Sequence, residues 1–200
     1  MPISPRRVLN DMLYAKQGLS DFLRAYFFLK SADNPDNRPH PLLSASATEL
    51  AKLPTYYIMD LNETMATTVA PLMPTKEQVA REQWLSASEL KVYASEYERT
   101  GFQGALNWYR CSTNGTSRAE LELFAGRTID VPACFIAGEA DWGIYRQPGA
   151  LEAMQAKACT HMGEPHIIQG AGHWVQQERP KETSERILAF LKTAFASGAK

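Results

Sequence analysis

Two short apolar runs do most to limit how this chain can fold. Residues 131–138, VPACFIAG, and residues 165–170, PHIIQG, are each short and apolar, and each ends in a turn of small residues. Between them lies GALEAMQAKAC (149–159), which reads as a helix. After them comes KETSERILAFLKTAF (181–195), with Ile187, Leu188, Leu191 and Phe195 on one helical face. Strand, helix, strand, helix at this spacing predicts βαβ units and a parallel sheet. Proline has no N–H to give a ladder, so Pro132 is expected at the start of a buried strand.

Up to about Leu123 the chain has a different texture, of helices and loops. In GLSDFLRAYFFLKSA (18–32), Leu19, Phe22, Leu23, Tyr26 and Phe27 recur at three- and four-residue spacing, which is one face of a helix. DNPDNRPHPLL (33–43) is a proline- and asparagine-rich loop. Ser46-Ala-Thr-Glu49, Thr75-Lys-Glu-Gln78 and Ser86-Ala-Ser-Glu89 are capping-box patterns. The first opens a short helix that stops before Pro54, and the last opens a helix that puts Leu90, Tyr93 and Tyr97 on one face and ends at Gly101. YYIMDL (56–61) is ambiguous between strand and helix. The expected class is α/β but mostly helical, divided into a helical region at residues 1–126 and an alternating region at 127–200.

Composition removes several functions. The net charge is −1 over 200 residues, so no basic stripe is available for phosphates and no nucleic-acid partner is expected. No run approaches the about 18 apolar residues of a membrane span. The N-terminus, MPISPRRVLNDMLYAK, has no apolar stretch behind its arginines and does not read as a signal peptide. The expectation is a cytoplasmic protein, in which the sequons at Asn62 and Asn114 carry little weight. Cys111, Cys134 and Cys159 are three, unpaired in spacing, and are read as buried free thiols. No metal and no other cofactor is expected.

The chemistry concentrates after the two strands. His173 follows Gly170, Ala171 and Gly172 at the carboxyl end of one strand, and Asp141 stands at the matching place after the other. That end of a parallel sheet is where α/β folds put their reactive side chains. An aspartate on one imidazole nitrogen fixes the tautomer and leaves the other nitrogen as a base. The plainer alternative is a histidine satisfied within its turn. His40, His161 and His166 read as surface or capping histidines.

TGFQGALNWYR (100–110), VPACFIAGEADWG (131–143) and GAGHWVQQERP (170–180) together resemble the epoxide hydrolase branch of the α/β-hydrolase superfamily, its fungal members in particular. LRAYFFLKSAD, NRPHPL, LPTYYIMDL and ELKVYASEYERTGFQG resemble that branch's helical cap, so the likeness runs from about residue 17 to 195. It implies a helical cap followed by a truncated α/β-hydrolase core of two parallel strands with flanking helices. In this family an aspartate opens the epoxide to form an ester, a histidine oriented by a second acid activates water, and cap tyrosines donate to the epoxide oxygen. The resemblance carries the base to His173, the acid to Asp141 and a donor to Tyr109, and it makes Trp108, Trp142 and Trp174 an apolar pocket wall for a small apolar organic substrate. A first cap tyrosine is not identifiable, although Tyr14 and Tyr26 lie upstream.

The sequence also departs from the family in what precedes the cap. It holds no His-Gly-x-Pro turn and no Gly-x-Ser-x-Gly or Gly-x-Asp-x-Gly elbow. The chain thus reads as beginning inside the cap. Two strands with open edges imply a homo-oligomer or a partner subunit joined through the sheet edge. Three functions stay open: an epoxide hydrolase-like enzyme, a cyclase, isomerase or dehydratase of fungal secondary metabolism, and a ligand-binding pseudoenzyme.

Overall fold

The computed structural model describes residues 11–113, 115 and 117–196. The N-terminal ten residues and the second sequon's Asn114 and Thr116 lie outside the described residues. Two compact units emerge. The first comprises the chain up to Tyr26, Pro54–Thr75 and Leu85–Arg127. The second comprises Phe27–Leu53, Lys76–Trp84 and everything from Thr128 onward. The second unit therefore draws two earlier segments to the alternating C-terminal region, and the Leu19–Leu29 helix contributes to both.

The first unit is helical. Phe22 is 2% exposed and meets the edge of Phe102 at 6.0 Å, while Tyr97 stacks on Phe102 at 4.2 Å. Arg24 is buried, yet its guanidinium donates to the Leu85 carbonyl at 2.6 Å, which satisfies a charge that burial would otherwise penalise. The Ala87–Thr100 helix opens on the capping box read from the sequence: Ser86 accepts from the Glu89 amide and Glu89 reaches back to the Ser86 amide. It closes at Gly101, whose φ of 63° is one that glycine adopts without strain. Ser46 caps the short Ala47–Leu50 helix by accepting from the Glu49 amide, but the box read from the sequence is not completed: Glu49 accepts from the Leu43 amide, and the Ser46 amide donates to Ser44 Oγ. YYIMDL forms turns and irregular chain instead of a strand or helix.

The second unit carries four short strands: β1 (Ile129–Ala133), β2 (Ile136–Gly138), β3 (Cys159–Met162) and β4 (His166–Ile168). They pair in parallel as β1–β3 and β2–β4. The first strand expected from the sequence is two, because VPACFIAG breaks at Cys134 and Phe135; PHIIQG holds β4 alone, and β3 is a further strand that begins at Cys159, the last residue of what reads as helix. The intervening helix is shorter than its sequence suggests, Ala150–Ala153 followed by a wide turn of helix at Met154–Ala158. Pro132 lies inside β1, not at its start, and β1 is largely exposed. Pro132 stands opposite His161, just past a register slip between Ile129 and Pro132, and a bulge of this kind is one of the places a sheet admits proline. The final helix, Pro180–Ala196, forms as expected, but Ile187, Leu188, Leu191 and Phe195 are 39–75% exposed. The thiols are free, but only Cys159 is buried; Cys111, on the Gln103–Thr113 helix, is exposed. No described helix is long and apolar enough to cross a membrane.

Candidate active site

The β2–β4 pair brings Asp141 and His173 together. Ile136, Ala137 and Gly138 stand opposite His166, Ile167 and Ile168, so the chain leaves both strands at the same level. The two loops then bond to each other: the Glu139 amide donates to Ile168 O and the Ala140 amide to Ala171 O, both at 2.9 Å. Small residues permit this approach. A Cβ on Gly138 would collide with the carbonyls of Ala171 and Gly172, and one on Gly172 with the backbone of Lys30 and Ser31. Gly170 takes the left-handed φ of 64° that turns the loop.

Asp141 Oδ1 accepts from the Gly143 amide at 2.8 Å and from His173 Nδ1 at 3.0 Å. An ionised carboxylate can only accept, so the proton between them sits on Nδ1. Nε2 then carries the lone pair, and among the described residues no group engages it. Burial pushes the Asp141 pKa upward, but the hydrogen bond and charge of His173, the Gly143 amide and the Lys30 charge together hold it below the usual carboxylate range. The acid is sheltered, with 15% of its side chain exposed, and the base is open at 38%. A base must meet water and its orienter need not, so this asymmetry suits the roles.

Trp174 lies edge-on to His173 at 4.8 Å, and its indole N–H donates to Phe27 O at 2.8 Å. Trp142 is 4% exposed and packs edge-on against His40 at 5.1 Å, so it forms part of the second unit's core. His40 and His161 are exposed and His166 is half-buried. Trp108 and Tyr109 lie on the Gln103–Thr113 helix of the first unit, 80% and 61% exposed. A hollow of 670 Å³ along Glu178–Ala189 and another of 360 Å³ beside Pro132, His161 and Phe190 lie in the second unit, and neither is lined by Asp141 or His173. Among the described residues no three His, Cys, Asp or Glu side chains converge as a metal site.

Two participants escape a reading of the sequence. Asn37 donates to both Ser31 O (3.0 Å) and Ala140 O (2.8 Å), which ties the residue before Asp141 to the end of the first helix. Glu178 accepts from the amides on either side of His173. Asn37 gave no signal beyond a loop composition. Glu178 stands one helical turn beyond Trp174, a spacing at which a carboxylate can reach back to a helix's first amide, and that could have marked it.

No protein-family model matches the chain. Epoxide hydrolase A of Mycobacterium tuberculosis is 44% identical over 112 residues, which are 54% of this chain and 32% of that protein. Epoxide hydrolase 2 of Siraitia grosvenorii is 34% identical over 113 residues, 54% of this chain and 35% of that protein. The crystal structure of epoxide hydrolase A from Mycobacterium thermoresistibile superposes with a TM-score of 0.61 at 29% identity, over 94% of this chain and 50% of that one. A laboratory-evolved variant of potato epoxide hydrolase superposes with a TM-score of 0.63 at 27% identity, over 92% and 49%. The chain spans about a third of the length of these curated relatives and about half of these solved structures. It is a partial match to the epoxide hydrolase branch of the α/β-hydrolase superfamily, and its fold is of that α/β type.

Proposed function

We propose that this chain, as a partial match to the epoxide hydrolases, carries the water-activating half of an epoxide hydrolase site acting on a small apolar epoxide. His173 is the base, Asp141 its orienter and Tyr109 the hydrogen-bond donor to the epoxide oxygen. Residues 1–126 act as the cap and residues 127–200 as the C-terminal part of the core, with Trp108, Trp142 and Trp174 as apolar surroundings. The observation that carries the reading is the 3.0 Å bond from Nδ1 to Asp141, which leaves Nε2 basic and open to water. A water proton passes to Nε2 as the oxygen forms its new bond. On the ester route that bond is to an acyl carbon, and the diol leaves. Its nucleophile must come from outside these 200 residues, because the sequence holds no elbow motif. On the direct route the bond is to an epoxide carbon, the carbon–oxygen bond of the ring breaks, and Tyr109 stabilises the departing oxygen.

The test is diol formation from small apolar epoxides in ¹⁸O-labelled water under single-turnover conditions. His173→Ala should lower the rate at least about 100-fold, the minimum for a lost general base. An unchanged rate would remove His173 from the reaction. Unlabelled diol identifies the ester route and labelled diol the direct one. An isomer of unchanged mass would instead make the protein an isomerase, and tight binding without turnover a binding protein.

Association through exposed strand edges accompanies this reading. Each described sheet has only two strands, and Ile129 and Val131 of β1 are exposed with Ile187, Leu188 and Phe195 of the last helix. A two-stranded sheet is marginal alone and its edges invite pairing. Sedimentation velocity should therefore find the chain in a homo-oligomer or bound to a partner subunit; a stable monomer with one sharp unfolding transition overturns this.

A further inference from the structure

Three consecutive amides run past the candidate base, and all three are held. The Gly172 amide donates to Glu178 Oε2 at 2.9 Å, the His173 amide to Lys30 O at 2.9 Å, and the Trp174 amide to Glu178 Oε1 at 3.1 Å. Glu178 Oε2 also accepts from the Ala32 amide at 2.8 Å. Residues 30–32, just beyond the first helix, thus anchor the histidine loop twice: directly at Lys30, and through Glu178 at Ala32. With its backbone held on both sides, the His173 ring keeps only its own side-chain torsions, and Asp141 and Trp174 restrict those.

Glu178 is an expensive way to tie a loop. It is 6% exposed, and taking a carboxylate out of water costs several kcal/mol unless its lone pairs are filled. Burial raises its pKa; the three amides oppose that shift without cancelling it, and Asp33 adds to it. The residue's stability contribution alone therefore gives no reason for a charge here. Geometry does. Three N–H groups converge on two oxygens, and the isosteric glutamine would turn an NH₂ toward one of them.

We propose that Glu178 is a positioning residue of the acid–base pair: by gathering the amides of Ala32, Gly172 and Trp174, its carboxylate sets where the His173 ring meets Asp141. This rests on the reading of His173 and Asp141 as that pair. Glu178 touches no reacting atom and acts only through His173.

The test reads the His173 imidazole directly, by ¹⁵N NMR of the full chain, so it does not depend on turnover. In the unmodified protein the ring should be locked as the Nδ1–H tautomer, and Asp141→Ala, which removes the acceptor, should abolish the lock. Glu178→Gln should also lose it, giving the averaged nitrogen shifts of a free imidazole while the rest of the amide spectrum stays native. A purely structural role would leave the tautomer unmoved as long as the chain folds. If Asp141→Ala unlocks the ring and Glu178→Gln does not, the positioning role is wrong and the pair stands. If the unmodified ring is already averaged, the pair itself is wrong and the proposal falls with it. Should Glu178→Gln fail to fold, Glu178→Asp keeps the charge on a shorter arm and carries the same readout. A partial loss of the lock is then expected, and an unchanged lock overturns the proposal.

Discussion

Asp141→Asn should lower diol formation by at least about 10-fold while leaving the fold in place, because a hydrogen bond to an ion is worth about 1–2 kcal/mol more than a neutral one. The reason is the charge. Asp141 Oδ1 accepts both the Gly143 amide at 2.8 Å and His173 Nδ1 at 3.0 Å, so an asparagine oxygen in its place keeps both bonds and the Nδ1–H tautomer. What is lost is the negative charge that stabilises the imidazolium formed as Nε2 takes a proton from water. Substrate binding should be little changed, so the loss should appear in kcat and hardly in KM. The pair also fixes a pH signature. The folded-state pKa of Asp141 is depressed, so its stabilisation is fully present above the unfolded value of an ordinary aspartate. It is lost as pH falls through the depressed value. The unmodified protein should lose stability over that acid window, and Asp141→Asn should lack this part of the loss. Urea midpoints measured across pH check this, and parallel curves for the two proteins would show that the pairing adds nothing.

Gly172→Ala and Gly138→Ala should each cost about 3 kcal/mol, the upper part of the usual range for forcing extra atoms into a packed site. For a chain of this length that is a fall of roughly 6–12 °C in Tm. At both positions the added methyl would meet backbone, which cannot rotate away: the Lys30 carbonyl and Ser31 for Gly172, and the carbonyls of Ala171 and Gly172 for Gly138. Gly104 is the control. It lies in the Gln103–Thr113 helix with open space around it, so alanine there should be neutral or slightly stabilising. Differential scanning calorimetry on the three variants decides the matter. Equal midpoints at Gly104 and Gly172 would mean that the histidine loop does not lie against the end of the first helix.

Those two glycines illustrate what could be read in advance. GAGHW signals a tight turn and a histidine on a loop, because glycine spacing is a local property. What the turn is tight against is not local. The Lys30 carbonyl, just beyond the Leu19–Leu29 helix, and the Ala32 amide lie about 140 residues away in the chain, and nothing in LKSAD announces that they receive the His173 loop and its Glu178. Asn37 was hidden for the same reason: a proline-rich loop looks like a connector until its side chain is seen bridging Ser31 and Ala140. The strands failed in a different way. VPACFIAG is continuous as an apolar run, but its ladder divides at Cys134 and Phe135 between β1 and β2, and pairing geometry leaves no trace in composition.

The sequence by itself determined the elements with a local cause. Apolar spacing set the Leu19–Leu29 and Pro180–Ala196 helices, and the Ser46 cap and the Ser86 box set two helix starts. It also placed an acid and a histidine at equivalent points after two strands, because each needs only a short apolar run and a small-residue turn. The tertiary structure alone decided that Asp141 and His173 meet at 3.0 Å, that four strands pair two by two, and that Glu178 is spent on three backbone amides. These depend on contacts between residues far apart in the chain. Such contacts are set by which close approaches the packed backbone allows, and no single stretch of sequence carries that information.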